Sequence, residues 1–128
     1  MVAIMNIKGT IMTAREVAEA FTALLKAGKH EEAGERFWAD NVVSREAMEG
    51  PMAELQGLEA VKGKSAWWYA NHTVHSVETE GPWMHGDQFA VRFAMDITVN
   101  ASGQRMQSTE IALYTVADGK VVEERFFY

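Results

Sequence analysis

The chain has 128 residues, with 12 Lys and Arg against 18 Asp and Glu, a formal charge of -6 and no cysteine. An acidic surface is a poor match for nucleic acid or an anionic membrane, so neither is expected as a partner. Disulfides, thiolate catalysis and cysteine-ligated zinc are excluded. This composition is compatible with a reducing cytoplasm, and the length suits one domain with a buried core.

The N-terminal stretch "MVAIMNIKGTIM" is apolar but short, and Lys8 interrupts it. It lacks the basic region and cleavage site of a signal peptide, and no apolar run approaches the roughly 18 residues of a membrane span. Either Met12 is the true start and the residues before it are an extension, or they form a short strand along a sheet edge. We therefore expect an extension over residues 1–12 and a single domain over residues 13–128.

Three helices are predicted. The tetrapeptide "TARE" at Thr13–Glu16 has the pattern of a capping box, and the apolar residues after it recur at helical spacing until Gly28. A second helix is predicted over 29–39, and a third over 58–72. Trp68 and His72 are four residues apart on one stripe of the third helix, whereas Lys64 is expected off that stripe.

The second half of the chain changes to a period of two, which is typical of strands. Four long strands are predicted from "VHSVETEGPWMH", "QFAVRFAMDITVN", "QRMQSTEIALYTV" and "KVVEERFFY", after a short strand at 42–48. Gly81-Pro82 indicates a bulge that would curve the sheet. The predicted fold is α+β: a cone of three N-terminal helices packed on a curved antiparallel sheet, with a small-molecule pocket at the open end.

The stretch "AFTALLKAGKHEEAGERFWADNVV", the ending "DGKVVEERFFY" and the order of elements resemble the nuclear transport factor 2-like superfamily, and within it the SnoaL-like group. That superfamily includes ketosteroid isomerases, polyketide cyclases, epoxide hydrolases, dehydratases and members without chemistry, so fold cannot choose among them. By the resemblance, Glu46 falls at the position of the catalytic base. Phe21 replaces the oxyanion-binding tyrosine, and the acid on a long strand falls near Thr109.

Each candidate residue has a structural alternative. Glu46 is either a general base over a pocket or a solvated strand residue. His72 either faces the pocket or is a histidine stabilised at a helix C-terminus. Glu124 lies on an otherwise apolar strand face. It is therefore predicted either at a solvated pocket rim or paired with an arginine.

The aromatic residues also have two possible roles. Trp38 and Trp68 either form part of the core and a subunit interface or wall a pocket, and Trp68 is favoured over Trp67 as the inward one. The resemblance puts Tyr128 at the pocket mouth.

The function predicted is a pocket for a small, largely apolar organic molecule, with a carboxylate base and neither metal nor cofactor. The reaction would be an isomerisation, cyclisation or dehydration. The alternatives are a module that only binds a hydrophobic ligand and a structural dimer module whose aromatics fill its own cavity. A homodimer through the outer sheet face is expected in each case.

Overall fold

The computed structural model describes residues 4–128 and contains, over that range, three helices and six strands. In chain order they are α1 (Ala14–Lys26), α2 (His30–Phe37), β1 (Trp38–Arg45), β2 (Glu54–Gln56), α3 (Leu58–Asn71), β3 (His72–His85), β4 (Gln88–Val99), β5 (Gln104–Ala117) and β6 (Lys120–Phe127).

The first helix begins and ends where its sequence predicts. The Thr13 hydroxyl accepts a hydrogen bond from the Glu16 amide. The Glu16 carboxylate accepts one from the Thr13 amide in return, which completes the capping box. Gly28 follows the last turn at a φ of +77°, the left-handed conformation that glycine adopts without strain.

The strands form one mixed sheet in the order β2-β1-β6-β5-β4-β3. All neighbouring pairs are antiparallel except β1 and β6, which are parallel. The α+β class is confirmed, but the purely antiparallel sheet is wrong. The prediction gave a short strand at 42–48 without a partner strand. In the structure β1 pairs with β6 and carries the short strand β2 on its other side.

The description of three N-terminal helices is not confirmed, because α2 is short and two strands, β1 and β2, separate it from α3. The second helix ends at Phe37, and Trp38 is already extended, with φ -65° and ψ 131°. Ala39 and Val42 are both buried in the strand. The predicted helix thus ran two residues too far, because Trp38 and Ala39 fit a helix as well as a strand.

Bulges adjust which residues face the core. The ladder between β3 and β4 shifts between Glu80 and Trp83, so the bulge predicted at Gly81-Pro82 is present. A second shift, between β5 and β6, aligns Val116 with Val121 and Thr115 with Glu123. The extra residue puts Val121 rather than Val122 on the covered face of the sheet.

The core lies between the helices and one face of the sheet, here called the inner face. It contains apolar residues of α1 and α2 packed on residues of the central strands: Val17, Ala18, Phe21, Leu25, Ala33, Phe37, Phe89, Val91, Phe93, Ala112, Tyr114, Val116 and Val121. The α3 helix packs against β1 and β3, which closes the same side. The other face, the outer face, is uncovered in the single chain.

The segment before α1 forms a small hairpin in which Met5 pairs with Ile11 and the Met12 amide donates to the Ile4 carbonyl. Ile4 packs on the core beside Gly119, where a Cβ would lie 2.6 Å from the Ile4 carbonyl oxygen. The hairpin thus contacts the turn between β5 and β6. The first three residues of the predicted extension lie outside the described range. Among the helices that are described, none has the length and apolarity needed to cross a membrane.

Candidate active site

Three glutamates and one lysine meet on the inner face where β1, β5, β6 and α3 come together. Glu46 follows β1, Glu110 lies on β5 opposite Phe93, and Glu124 lies on β6 between Ser44 and Tyr114. Lys64 reaches them from α3. We call Glu46, Glu110, Glu124 and Lys64 the carboxylate cluster.

Lys64 contacts Glu46 and also Ser44, whose hydroxyl donates a hydrogen bond to Glu124. Its Nζ lies 2.5 Å from Glu46 Oε1 and 2.6 Å from Ser44 Oγ, and 4.9 Å from the centre of the Phe126 ring. The lysine side chain is only 13% exposed and that of Glu46 24% exposed. A half-buried ion pair with an aromatic face beside it holds both charged groups in a defined position.

Glu124 is the most deeply buried carboxylate, at 4% exposure. Its Oε2 accepts a hydrogen bond from the Ser44 hydroxyl at 2.7 Å. Burial raises the pKa of Glu124, while the Ser44 hydrogen bond and the Lys64 charge oppose that rise. The sequence predicted a wet rim or an arginine partner for this residue. Both predictions are wrong, because a serine hydroxyl one strand away satisfies the carboxylate.

Glu110 has an ionisation suited to chemistry at neutral pH. Burial, and then repulsion by the Glu46 carboxylate, raise the pKa of Glu110 to about 7, although Lys64 acts in the opposite direction. A carboxyl group with this pKa is present as both acid and base near pH 7, which is the condition for efficient proton transfer.

Glu46 lies at the edge of an open cavity of about 270 Å³, whose lining also includes Arg45, Glu54 and Phe126. The Tyr128 hydroxyl donates to Glu46 Oε2 at 3.0 Å, and Tyr128 is itself 53% exposed. The carboxylate therefore links the buried cluster to the surface.

Tyr114 adds a buried hydroxyl to this site. Burial raises the pKa of Tyr114 well above its usual value, and the charges of Glu124 and Glu110 raise it further, so its hydroxyl lies near both. Its ring stacks on Phe89 at 4.9 Å and meets Phe21 edge-on at 4.8 Å.

Phe21 lies beneath that ring, at 2% exposure, and also meets Phe37 and Phe89 edge-on. It is a core residue with little surface for a ligand.

Thr109 is not on the inner face. It pairs with Ala94, whereas Glu110 pairs with Phe93, whose ring is in the core. Because successive strand residues point to opposite faces, Thr109 faces outward and Glu110 takes the inward position. The inward-facing carboxylate on this strand is thus one residue after the position that the resemblance predicted.

His72 and Trp68 form a separate group at the end of α3. The His72 ring stacks on Trp68 at 4.5 Å, and its Nδ1 donates to the Trp68 carbonyl at 2.7 Å. His72 is eight residues beyond Lys64, which is about 12 Å along a helix axis. The structure therefore places His72 at a helix C-terminus and does not bring it to the carboxylate cluster.

Trp38 lies between the core and this cluster. Its ring covers Gly34, where a Cβ would come within 2.5 Å of it. The buried Nε1 makes no hydrogen bond of standard geometry within residues 4–128, yet its N–H favours the ionised form of Glu124. The indole therefore lies beside the carboxylate without a formed hydrogen bond.

The sequence prediction missed Lys64, Glu110 and Tyr114. Lys64 is three residues after the buried Val61, so its helical position was compatible with facing inward. The helix has no clear apolar face, and the stripe that contains Trp68 and His72 leaves Lys64 out. Glu110, Ala112 and Tyr114 are two residues apart along β5. Strand periodicity alone could therefore have placed all three on one face.

Helices packed on one face of a mixed sheet, with carboxylates meeting on that face, define a member of the nuclear transport factor 2-like superfamily. A family model described as the SnoaL-like domain matches residues 12–128, and the chain belongs to this family.

Solved structures agree with this assignment. A proposed SnoaL-like polyketide cyclase from Mesorhizobium loti, also labelled a carbohydrate phosphatase, is 52% identical with a TM-score of 0.89, over 91% of this chain and 100% of that one. A proposed isomerase from Bacillus subtilis is 18% identical with a TM-score of 0.71, over 90% and 88%. A protein of ketosteroid isomerase-like fold from Catenulispora acidiphila, in complex with trimethylamine, is 17% identical with a TM-score of 0.69, over 91% and 87%. The last two show the fold alone. Among curated proteins, none matches this sequence.

Proposed function

We propose that this protein catalyses cofactor-independent proton transfer on a small organic molecule, in an isomerisation, cyclisation or dehydration. The observation that carries the proposal is the pairing of two carboxyl groups in different surroundings. Glu46 is held by the Lys64 ammonium and the Tyr128 hydroxyl, whereas Glu110 has its pKa raised to about 7. Environments that separate two such groups assign an acid and a base.

In this proposal Glu46 is the general base. It lies at the open cavity, so a substrate can approach it, and it forms an ion pair with Lys64. Glu110 acts in its protonated form and donates a hydrogen bond to the oxygen on which charge develops. A carboxylic acid that stays neutral near pH 7 is suited to this role.

The substrate is expected to be largely apolar, because Phe126 supplies aromatic surface to the cavity beside Glu46. A module that only binds a ligand would not need two carboxyl groups at this position. Burying them costs stability, and that cost is typical of a site retained for function.

A homodimer through the outer face belongs to the proposal. Ile111 and Phe127 are paired neighbours on that face and are 36% and 48% exposed. Ion pairs surround them, among them Arg92 with Glu80 and Arg105 with Asp96. An apolar centre with a charged rim is the usual composition of a subunit interface.

The proposal is tested by incubating the protein in deuterium oxide with a panel of small ketones, esters and β-hydroxy carbonyl compounds, and following deuterium uptake at carbon by NMR. Any compound exchanged by the wild type is then tested with Glu46→Gln, which should lose about 10²–10⁴-fold in rate. Glu49→Gln, at an exposed position on the same loop, is the matched control and should retain the full rate. Equal rates for Glu46→Gln and the wild type would remove Glu46 from the mechanism.

A further inference from the structure

The open cavity beside Glu46 has two arginines in its wall, and the proposed reaction uses neither. Arg45 lies at the end of β1 and Arg125 lies on β6, and the two are paired neighbours across the parallel ladder. Like charges directly opposite each other on neighbouring strands destabilise a sheet. Such a pair therefore needs negative groups to compensate it, from the protein or from a ligand.

The protein compensates the two arginines unequally. Arg45 forms an ion pair with Glu54, and its Nε also donates to Glu123 Oε2 at 3.4 Å. Arg125 has the other oxygen of Glu123, at 3.7 Å from its Nε, which is too far for a hydrogen bond. Within residues 4–128 the Arg125 guanidinium makes no hydrogen bond, so its N–H donors remain unused beside the cavity.

The acidic groups in the same wall already have close partners. Glu46 is paired with Lys64. Glu54 is paired with Arg45. Arg125 therefore has the loosest contact of the charged side chains that line the cavity, and at 47% exposure it can be reached from solvent. It belongs to the charged rim of the proposed subunit interface, and such a rim stays in contact with water.

The cavity favours a carboxylate that is attached to an apolar group. A guanidinium is planar, and two of its N–H groups match the two oxygens of one carboxylate. Phe126 and Phe127 line the same cavity, whose volume is about 270 Å³. An apolar cavity of about 150 Å³ can hold a benzene ring, so there is room for a ring with a carboxylate. Phosphate is a poorer match, because it has no apolar part for the aromatic side chains.

We infer that this cavity binds the carboxylate of a small organic acid, and that Arg125 is the residue that recognises it. Glu46 borders the same cavity, so the substrate of the proposed reaction would be an acid whose carboxylate contacts Arg125 and whose apolar part contacts Phe126. This second step rests on the proposed function, whereas the binding site does not. Arg125 determines specificity in this scheme and takes no part in proton transfer.

The binding site is tested with phenylacetate and with phenylacetamide, a neutral molecule of nearly the same shape. Titrations followed by NMR of the arginine Nε–H groups give the affinity and show which arginine responds. At neutral pH we expect phenylacetate to bind about tenfold more tightly than the amide, the low end for a hydrogen bond to a charged group, and to shift the Arg125 signal. Inorganic phosphate at the same concentration should not displace it.

Substitutions of Arg125 assign this preference to one side chain. Arg125→Met should bind the acid and the amide equally, and Arg125→Lys, which keeps the charge without the planar fork, should retain part of the preference. Arg92→Met is the matched control, because Arg92 is an arginine of the outer face that pairs with Glu80 and lies outside the lining of the cavity. It should equal the wild type. If the wild type does not distinguish the two probes, if phosphate displaces phenylacetate, or if a folded Arg125→Met variant with wild-type circular dichroism keeps the preference, the inference is wrong.

Glu46→Gln separates this inference from the proposed function. The substitution removes a negative charge from the cavity wall, so the variant should bind phenylacetate at least as tightly as the wild type. If it also keeps the full rate of deuterium exchange, the proposed base is wrong and the Arg125 site stands. If exchange depends on Glu46 but phenylacetate binding does not depend on Arg125, the proposed function stands and the Arg125 site is wrong.

Discussion

At the scale of single residues, the charges around Glu110 decide its ionisation. Burial raises its pKa first, Glu46 adds to the rise, and Lys64 opposes it. Each of these effects belongs to a different side chain, so each can be removed separately.

Two substitutions should therefore move the pKa of Glu110 in opposite directions. Lys64→Met removes a positive charge, so the pKa should rise above about 7, and Glu46→Gln removes a negative charge, so it should fall. Carbon-detected NMR titration of the glutamate carboxyl groups measures both shifts. A shift of the same sign in the two variants would contradict the geometry of the cluster.

Glu110 also affects the pH dependence of stability. In the folded state its pKa is raised to about 7, from the ordinary glutamate value of 4.5. Between pH 4.5 and about pH 7 the unfolded chain therefore loses a proton that the folded protein keeps. The folded state is therefore favoured below about pH 4.5, and this contribution is lost as pH rises to about 7 and above.

Glu110→Gln should accordingly raise the free energy of unfolding at pH 8 by about 1–3 kcal/mol, and have little effect near pH 4.5. Urea unfolding at the two pH values gives the comparison. Glu78→Gln, at an exposed position on β3, is the control and should be neutral at both. A destabilised Glu110→Gln at pH 8 would show that the carboxylate is satisfied when charged.

At the scale of secondary-structure elements, two helical glycines provide a matched pair. In α2, a Cβ at Gly34 would lie 2.5 Å from the Trp38 ring, whereas a Cβ at Gly63 in α3 meets nothing within 4 Å. Alanine is favoured over glycine in a helix by up to about 1 kcal/mol. The two sites therefore separate the intrinsic preference from the packing.

Gly63→Ala should stabilise the protein by about 0.5–1 kcal/mol. Gly34→Ala should destabilise it, because the Trp38 ring must move, and the tryptophan fluorescence should change with it. Thermal unfolding and emission spectra measure the two effects. If Gly34→Ala were also stabilising with an unchanged spectrum, Trp38 would not be packed as the structure has it.

The elements differ in how far the sequence could predict them. The capping box of α1 and the alternation in β3 to β6 depend on neighbouring residues, so they were readable from the sequence. The end of α2 was not, because Trp38 and Ala39 fit a helix as well as the strand. The parallel pairing of β1 with β6 joins residues such as Ser44 and Glu124, 80 positions apart, and no local pattern encodes it.

The same limit applies to the candidate site. Glu46 and Tyr128 were both singled out from the sequence and the resemblance. The structure contains a hydrogen bond between them. Thr109 was chosen over Glu110 because an uncertainty of one residue in a strand reverses its face. Lys64 could not be assigned because its partners, Ser44 and Glu46, lie about 20 residues earlier, at the end of β1.

At the scale of the whole molecule, the outer face leads to a prediction about assembly. Light scattering should give the mass of a dimer, and Ile111→Glu should shift the protein toward monomer because it buries a charge in the apolar centre of the interface. Glu80→Gln, at the predicted rim, should remain a dimer. A wild-type monomer at high micromolar concentration would contradict the proposed interface.

The pairing of a neutral Glu110 with Glu46 as the base is tested most directly by the pH dependence of kcat/KM on a compound that the protein converts. Activity should fall as pH rises through about 7, because Glu110 then loses the proton it donates. In Glu110→Gln, whose amide remains a neutral donor, that fall should disappear while some activity persists. A wild-type profile that stays flat through pH 7, or a Glu110→Gln variant that keeps the same fall, would contradict it.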